Sequence, residues 1–287
     1  MTNSFIDLSK NCAQSTIDCL TVLNDKTREL NIEFFVIGAQ ARILILEQYF
    51  DLPINVATLD IDIAITVIDW KHYEKLRESL VFSASFKQDA KIYHRLYFKD
   101  EHPVDLIPFG AVETTAGLIQ WPPDQSVEMS VTGFQDALNN TIFVHLSDQL
   151  DVPFVSLPGM AVLKLIAWRD RHNEFPKKDA VDIAILLKYY ADAGNDERLF
   201  DQHADLIAIA DFDFELAGAR MLGRDMAEMM SPQTKKAVLE ILKCHANPES
   251  DDRLVLAVAE VIPNKDYEIS LQLLQNLKFG ILDKQSY

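Results

Sequence analysis

Residues 58–66 read TLDIDIAIT, and their polar and apolar side chains alternate as a β-strand requires. Leucine and isoleucine fall on one face of this predicted strand, which we expect to pack on the core. Thr58, Asp60 and Asp62 share the other face. Two carboxylates about 6.5–7 Å apart along a strand repel each other, and a divalent cation is a natural way to neutralise them. The stretch therefore predicts both a core strand and a candidate metal site.

A third carboxylate is expected at the same place. Asp105 lies in an apolar strand predicted at residues 104–109, which a polar turn at residues 99–103 joins to another strand at residues 92–98. An unpaired carboxylate is costly to bury. A hairpin that places Asp105 beside the first two aspartates would let the same metals neutralise its charge. Three carboxylates around divalent metals suit phosphoryl transfer. Aspartates exposed at strand edges are the alternative.

A glycine follows the strand predicted at residues 33–37. Gly38 and Ala39 then lead into a helical pattern. Glycine at a strand-to-helix turn lets backbone N–H groups approach a phosphate, whose charge is favoured by the helix N-terminus. Arg42 falls in the first helical turn and is a candidate phosphate ligand; the alternative is a solvated surface residue.

The character of the chain changes after about residue 156, where leucine, alanine and isoleucine recur at helical spacing. Pro158 suits the first turn of a helix. Helices are predicted at residues 160–171, 178–190, 234–244, 253–261 and 269–277. We therefore expect two domains, an α/β domain over residues 1–154 and a helical domain over residues 155–287.

Two of these predicted helices carry a second cluster of charged residues. Lys164, Trp168 and Arg171 recur at i, i+4 and i+7, which places two cations and an indole on one helix face. Asp179 and Asp182 lie three residues apart on the next helix. The cluster indicates either a site for nucleotide phosphates or a structural salt bridge between two helices, with the indole in the core.

The glycine turn, the aspartate pair and the later aspartate resemble, in order and in element type, the nucleotidyltransferase superfamily that includes DNA polymerase β. This resemblance implies an α+β fold, with a polymerase β-like mixed sheet, flanking helices and a C-terminal helical domain. It implies that Asp60, Asp62 and Asp105 are catalytic ligands of Mg²⁺, or of Mn²⁺ in its place. The nucleotide-binding residues implied in this first domain are Gly38, Ala39, Arg42 and Thr58. Ala39 departs from the serine or glycine of the superfamily motif.

A closer resemblance lies downstream. Lys164-Leu165-Ile166-Ala167, Arg171 and Lys178-Asp179-Ala180-Val181-Asp182 are similar to the K-L-x-A…R…(R/K)-D-x-x-D motif of the AbiEii-like abortive-infection toxin nucleotidyltransferases. The resemblance extends from about residue 34 to residue 190. It implies that Lys164 contacts the nucleotide phosphates with Asp182 as its acidic partner. Arg171 and Asp179 would support the same wall, so that the helical domain contributes to the nucleotide and acceptor cleft.

The charge balance limits the partners of the protein. The chain has 287 residues, with 27 Lys+Arg against 44 Asp+Glu, and its formal net charge is −17. Such acidity excludes a broad basic surface that grips nucleic acid, so an RNA acceptor needs a local basic patch. Cys12, Cys19 and Cys244 suit a reducing compartment, and no apolar run is long enough for a membrane span. We expect a cytoplasmic protein without a membrane partner.

Three hypotheses for the function follow. In the first, the protein is a Mg²⁺-dependent nucleotidyltransferase that moves NMP from an NTP to an acceptor hydroxyl. The resemblance then implies a toxin of a toxin–antitoxin or phage-defence pair, with tRNA as acceptor and an antitoxin protein as partner. In the second, the acceptor is a small molecule such as an aminoglycoside, or a protein. In the third, the chain is a non-catalytic nucleotide-binding or antitoxin-like module, and the alanine of the glycine motif marks a degenerate site.

Overall fold

The computed structural model describes residues 5–54, 56–249 and 251–283. The chain divides into two compact units, Met1–Ser156 and Leu157–Tyr287. Within the described residues, every named strand belongs to the first unit and the second unit is helical. The predicted α+β class, with a mixed sheet followed by a helical region, is therefore confirmed.

Most strands of the first unit belong to one mixed sheet. The strands in the described residues are β1 Phe5–Asp7, β2 Phe34–Ile37, β3 Ile61–Val67, β4 Phe86–Gln88, β5 Arg95–Phe98, β6 His102–Gly110, β7 Leu118–Gln120, β8 Glu128–Ser130, β9 Ile142–Ser147 and β10 Leu150–Phe154. The order of the sheet is β1-β9-β10-β2-β3-β6-β5-β4, while β7 and β8 pair separately. The central strands β3 and β6 are parallel, and β2 and β5 run antiparallel to them on either side.

Each helix described in the first unit lies between two strands along the chain. The four α-helices described in this unit are α1 Gln14–Glu29, α2 Gly38–Arg42, α3 Trp70–Phe82 and α4 Phe134–Leu138. Helix α2 continues as a π-helical segment, Ile43–Tyr49. Helix α3 begins where the Asp69 side chain accepts a hydrogen bond from the His72 amide, which caps its first turn.

Three predicted boundaries of the sheet are wrong. The strand expected at residues 58–66 begins only at Ile61, and Leu59 is 85% exposed instead of packing on the core. The reason is that β2 ends at Ile37, opposite Asp62, so the chain before Ile61 has no ladder partner on that side.

The turn expected at residues 99–103 is shorter, because His102 and Pro103 already belong to β6. Lys99 and Asp100 both adopt left-handed backbone conformations, with φ of 50° and 60°, which close the hairpin tightly. Residues 92–94, which the pattern predicts as strand, precede β5.

The second unit is a group of packed helices. The eight α-helices in its described residues are α5 Leu157–Arg171, α6 Lys178–Tyr189, α7 Asp196–Asp201, α8 Ala204–Ile209, α9 Phe214–Met229, α10 Pro232–His245, α11 Arg253–Ala259 and α12 Tyr267–Leu282. All five predicted helices are present, whereas the sequence patterns do not predict α7, α8 and α9. No helix of the described residues is both long and apolar enough to cross a membrane.

Helices α9 and α12 approach each other backbone to backbone. A Cβ atom built on Gly280 of α12 would lie 2.9 Å from the carbonyl carbon of Arg220 on α9. A Cβ atom on Gly223 of α9 would lie 2.9 Å from the amide nitrogen of Ile281. Because real Cβ atoms do not approach other atoms so closely, glycine is required at both positions of this crossing.

Candidate active site

Four neighbouring strands of the first unit form a transverse row of residues. Ile37 of β2 is in register with Asp62 of β3, and Asp62 is in register with Asp105 of β6. Asp105 is in turn in register with Arg95 of β5. Directly opposed residues on adjacent strands project from the same face of a sheet. The row therefore gathers two carboxylates and a guanidinium on one face, beside the turn that follows Ile37.

Three aspartates form an acidic triad at this row. Asp60, Asp62 and Asp105 each offer a carboxylate oxygen, and these atoms all lie within 4.8 Å of one another. Asp105 is buried, while the other two are half-buried. Carboxylate oxygens are the ligands that hard divalent cations such as Mg²⁺ prefer, and a cluster of like charges needs a cation to neutralise it. The donor set of the triad therefore fits a divalent metal.

Thr58 orients the first aspartate of the triad. Its hydroxyl donates a short hydrogen bond to Oδ1 of Asp60, just before β3 begins. A hydrogen bond of this kind fixes the orientation of a carboxylate ligand and tunes its affinity for metal. Thr58 thus contacts a candidate metal ligand, and its direct contact with a nucleotide stays a prediction.

Gly38 lies where the chain leaves β2 and enters α2. Its φ is +75°, and a Cβ atom built on it would lie 2.8 Å from Cγ of Asp62 and closer still to one carboxylate oxygen. Any side chain at this position would therefore overlap the triad. Contact of Gly38 and Ala39 with a triphosphate stays a prediction.

Arg42 is an internal residue of the first unit. Its side chain is 0% exposed, with Nη1 donating to Oε1 of Glu47 at 2.8 Å and Nη2 donating to the carbonyl oxygen of Val56 at 2.6 Å. The alternative of a solvated surface residue is therefore wrong. These contacts tie the π-helical segment to the chain that precedes β3. Binding of a phosphate by Arg42 stays a prediction, and it would have to involve a guanidinium that already has protein partners.

Arg95, which no sequence pattern singles out, binds the third carboxylate of the triad. Its Nε donates to Oδ1 of Asp105 and its Nη2 donates to Oδ2, both at 2.7 Å. The same Nη2 lies 3.6 Å from Oδ2 of Asp60. Hydrogen bonding to Asp105 raises the pKa of the Arg95 guanidinium above its ordinary value. The guanidinium therefore stays charged and lies between two carboxylates of the triad.

His94 adds a second nitrogen base beside Asp105. Its Nε2 lies 3.9 Å from Oδ2 of that aspartate, and its ring lies 4.9 Å from the ring of Trp121. Burial lowers the pKa of His94, an effect that the charge of Asp105 opposes. The imidazole is therefore mainly neutral at pH 7. Of the two side chains beside Asp105, Arg95 is the one that carries a positive charge.

The charged cluster predicted in the second unit joins α5 to α6. Lys164 forms ion pairs with Asp182 and, at 3.5 Å, with Asp179. Arg171 donates to both carboxylate oxygens of Asp179 at 2.6 Å. Trp168 is buried and donates to the carbonyl oxygen of Pro176. The salt bridge expected between the two helices is present, and a role of these residues at a nucleotide stays a prediction.

Asp179 is ionised in spite of its surroundings. Its side chain is 0% exposed, and burial alone would raise its pKa. Hydrogen bonds from Arg171 and the charge of Lys164 outweigh that effect, so the pKa of Asp179 is lowered. The cluster is therefore a network of paired charges within the helical unit.

The sequence matches one protein family over well over half of its length. The match covers residues 46–254, and the family is described as the nucleotidyl transferase AbiEii toxin of a type IV toxin–antitoxin system. The chain belongs to the AbiEii family. It is therefore a nucleotidyltransferase. No curated protein matches this AbiEii-family sequence.

Three solved structures are similar to this AbiEii-family chain at low identity. The antibiotic-resistance factor ANT(2'')-Ia is 9% identical, covering 70% of this chain and 98% of its own, with a TM-score of 0.37. A CCA-adding enzyme in complex with ATP is 15% identical, covering 94% and 68%, with a TM-score of 0.27. The Thermotoga maritima CCA-adding enzyme with tRNA is 13% identical, covering 94% and 67%, with a TM-score of 0.27. The family assignment rests on the sequence match.

The predicted site residues of the AbiEii-family enzyme fall into two groups. The first unit brings the acidic triad together with Gly38 and Thr58. The second unit holds the charged cluster of α5 and α6. The family match begins at residue 46, after the glycine turn, and continues beyond the region of resemblance that ends at residue 190.

Proposed function

We propose that this enzyme uses a divalent metal, Mg²⁺ in the cell, to transfer NMP from an NTP to an acceptor hydroxyl. The observation that carries the proposal is the acidic triad, whose three carboxylate oxygens lie within 4.8 Å of one another. Asp60 and Asp62 would hold the metal from the start of β3, and Asp105 would complete the ligand set from β6. When bound, Mg²⁺ neutralises phosphate charge and favours ionisation of the attacking hydroxyl.

The transfer makes one bond to the α-phosphorus and breaks another. The acceptor oxygen forms its bond to the α-phosphorus of the NTP, and the bond from that phosphorus to the oxygen bridging the β-phosphate breaks. Pyrophosphate leaves with the electron pair of the broken bond. We propose that the carboxylate of Asp105, the buried member of the triad, takes the proton of the acceptor hydroxyl.

We propose that the helical domain, over residues 155–287, contributes to the cleft for nucleotide and acceptor. In this proposal Lys164 faces the nucleotide phosphates, with Asp182 as its acidic partner and Arg171–Asp179 as support. The family match, which includes both α5 and α6, supports the proposal. The ion pairs that hold Lys164 and Arg171 would fix the direction of their side chains.

We propose that the cellular role is that of a toxin in a toxin–antitoxin pair, acting in the cytoplasm on a tRNA. The family description, which names a toxin of a type IV system, supports the role and implies an antitoxin. Since the formal net charge is −17, a large RNA would be held by a local basic surface and not by the chain as a whole. That same charge favours a second candidate, a cationic small acceptor such as an aminoglycoside.

One labelling experiment tests the transfer and identifies the acceptor class. The full-length protein is incubated with each α-labelled NTP and Mg²⁺, in separate reactions with total RNA, total protein and an aminoglycoside such as kanamycin. We expect label in the RNA fraction, at the size of tRNA. Label only in kanamycin or only in protein would contradict the tRNA acceptor and leave the nucleotidyl transfer intact.

Matched asparagine variants test the metal site in the same assay. Asp62→Asn removes a charge of the triad. Loss of a residue that only orients a metal ligand costs about 10- to 100-fold, and we expect transfer to fall by more than that when a ligand itself is changed. Asp100→Asn removes an aspartate of the hairpin turn that is 72% exposed, and it should retain full transfer. Undiminished labelling by a folded Asp62→Asn variant would refute the assignment of the triad.

A further inference from the structure

A positively charged side chain of the protein, that of Arg95, lies against the acidic triad. The guanidinium of Arg95 donates to both carboxylate oxygens of Asp105 at 2.7 Å, and its Nη2 lies 3.6 Å from Oδ2 of Asp60. A cation that bridges these two carboxylates would have to lie in the same place. Arg95 therefore already supplies, in part, the neutralisation for which the triad needs a metal.

The fold both sets this contact and permits its release. Arg95 and Asp105 are direct cross-strand partners at the β5–β6 pairing, so the backbone register brings their side chains together. The Arg95 side chain is nevertheless 22% exposed, which leaves it a path to solvent. Arginine has a long and flexible side chain, and it can leave a carboxylate without a change in the strand that carries it.

We propose that Arg95 is a positioning residue that competes with metal for Asp105. It neutralises the triad in part before metal binds, and Asp105 becomes a metal ligand and proton acceptor only when the guanidinium moves away. This inference rests on the proposed function of the triad as a metal site. It adds an order of events, in which Asp60 and Asp62 would hold a cation first and Asp105 would join them after the guanidinium has moved away.

Electrostatics gives the direction of the effect. A divalent ion and a guanidinium on one carboxylate repel each other strongly, since both lie within a few ångströms in a partly buried site. Removing the guanidinium should therefore strengthen metal binding, provided that the carboxylates keep their places. If Arg95 instead served only to hold Asp105 in the correct orientation for metal, its removal would weaken binding.

Direct measurement of Mn²⁺ binding separates these two cases. We propose titration of the nucleotide-free protein with Mn²⁺, with free ion measured by electron paramagnetic resonance, for wild type, Arg95→Gln and Arg95→Lys. We expect binding to be at least tenfold tighter in Arg95→Gln than in wild type. Arg95→Lys keeps the charge but cannot donate in the same fork, so we expect an intermediate affinity.

A matched control is available in the helical unit. Arg198 donates to both carboxylate oxygens of Asp225 at 2.9 Å and is 32% exposed, which resembles the pairing of Arg95. Arg198→Gln should therefore lose a comparable ion pair and leave Mn²⁺ affinity unchanged. Circular dichroism of each variant confirms that the folded proteins are compared.

Each outcome decides a different point. Equal or weaker Mn²⁺ binding by folded Arg95→Gln would overturn the competition. Should that variant not fold, the lysine variant decides in its place, and equal or weaker binding than wild type would likewise overturn the competition. Absence of Mn²⁺ binding in both wild type and Arg95→Gln would overturn the triad as a metal site and hence the proposed role of a divalent metal in the transfer.

Discussion

Gly38 and Asp62 lie so close together that a side chain at residue 38 would overlap the Asp62 carboxylate. A Cβ atom at Gly38 would lie 2.8 Å from Cγ of Asp62, and the φ of +75° is a conformation that other residues adopt at a cost. The glycine is thus required by a neighbouring carboxylate of the triad. This requirement exists whether or not a phosphate approaches the turn.

Gly38→Ala is expected to disturb the metal site. The added methyl group must displace the Asp62 carboxylate or distort the turn, so we expect at least tenfold weaker Mn²⁺ binding and about 1–3 kcal/mol lower unfolding free energy. Calorimetric Mn²⁺ titration and urea denaturation measure the two effects. Gly117→Ala, at another glycine of positive φ in the same unit, should destabilise without weakening Mn²⁺ binding. Unchanged Mn²⁺ affinity in Gly38→Ala would show that the carboxylate can relax freely.

The hydroxyl of Thr58 is expected to tune Asp60. Thr58→Val keeps the shape of the side chain but removes the hydrogen bond to the carboxylate. Loss of an outer-shell partner costs about 10- to 100-fold in metal affinity, and we expect a decrease in that range. Thr58→Ser retains the donor and should stay near wild type in the same Mn²⁺ titration. A valine variant that binds as tightly as the serine variant would contradict the role of the hydroxyl.

Asp179 is expected to contribute to the acid sensitivity of the helical unit. Because its pKa is lowered in the folded state, its contribution to stability is present above the unfolded value of about 3.9 and is lost as pH falls through the folded pKa. Asp179→Asn removes one partner of a buried ion network and should cost about 3–5 kcal/mol at pH 7.

Urea denaturation between pH 7 and pH 3 measures this contribution. The difference between wild type and Asp179→Asn should shrink towards the acid end of the range. Asp170 and Arg169, both on α5, form a partly exposed ion pair, and Asp170→Asn should have a small and nearly constant effect on the unfolding free energy. A difference between wild type and Asp179→Asn that does not depend on pH would contradict the assigned ionisation.

A methyl group at the crossing of α9 and α12 is expected to destabilise the helical unit. Gly280→Ala brings a Cβ atom against the backbone of Arg220, so the helices must move apart, and we expect a loss of about 1–3 kcal/mol or more. Thermal unfolding followed by circular dichroism measures the loss. Gln272→Ala, at an exposed position of the same helix, provides the reference for a change in helix propensity. Equal midpoints for the two variants would show that the crossing can widen without cost.

Much of the first unit can be predicted from the sequence because its signals are local. The apolar run before Gly38 and the alternation around Asp62 predict β2 and β3, and both strands are present. The start of β3 could not be predicted, since it depends on where the neighbouring strand ends. Leu59 continues the alternation in the sequence, yet it has no sheet to pack against.

Arg95 could not be identified because its significance depends on strand register. A charged residue in a short strand is ordinary, and only the count across the hairpin brings it opposite Asp105. The register of the hairpin depends on the left-handed conformations of Lys99 and Asp100. The turn contains neither a glycine nor an Asn-Gly pair, which are the residues that normally indicate such conformations in a sequence. Because the predicted turn is longer than the actual one, the sequence does not identify the residue that lies opposite Asp105.

The β5–β6 hairpin makes the length of a surface turn a determinant of the chemistry in the interior. Side chains of a strand alternate between faces, so a slip of one residue would replace Arg95 by Leu96 opposite Asp105. Leu96 is fully buried on the other side of the strand, and the slip would also bring a charged side chain into that apolar layer. An insertion or deletion at Lys99 or Asp100 would therefore change the charge balance of the acidic triad, although neither turn residue is part of it.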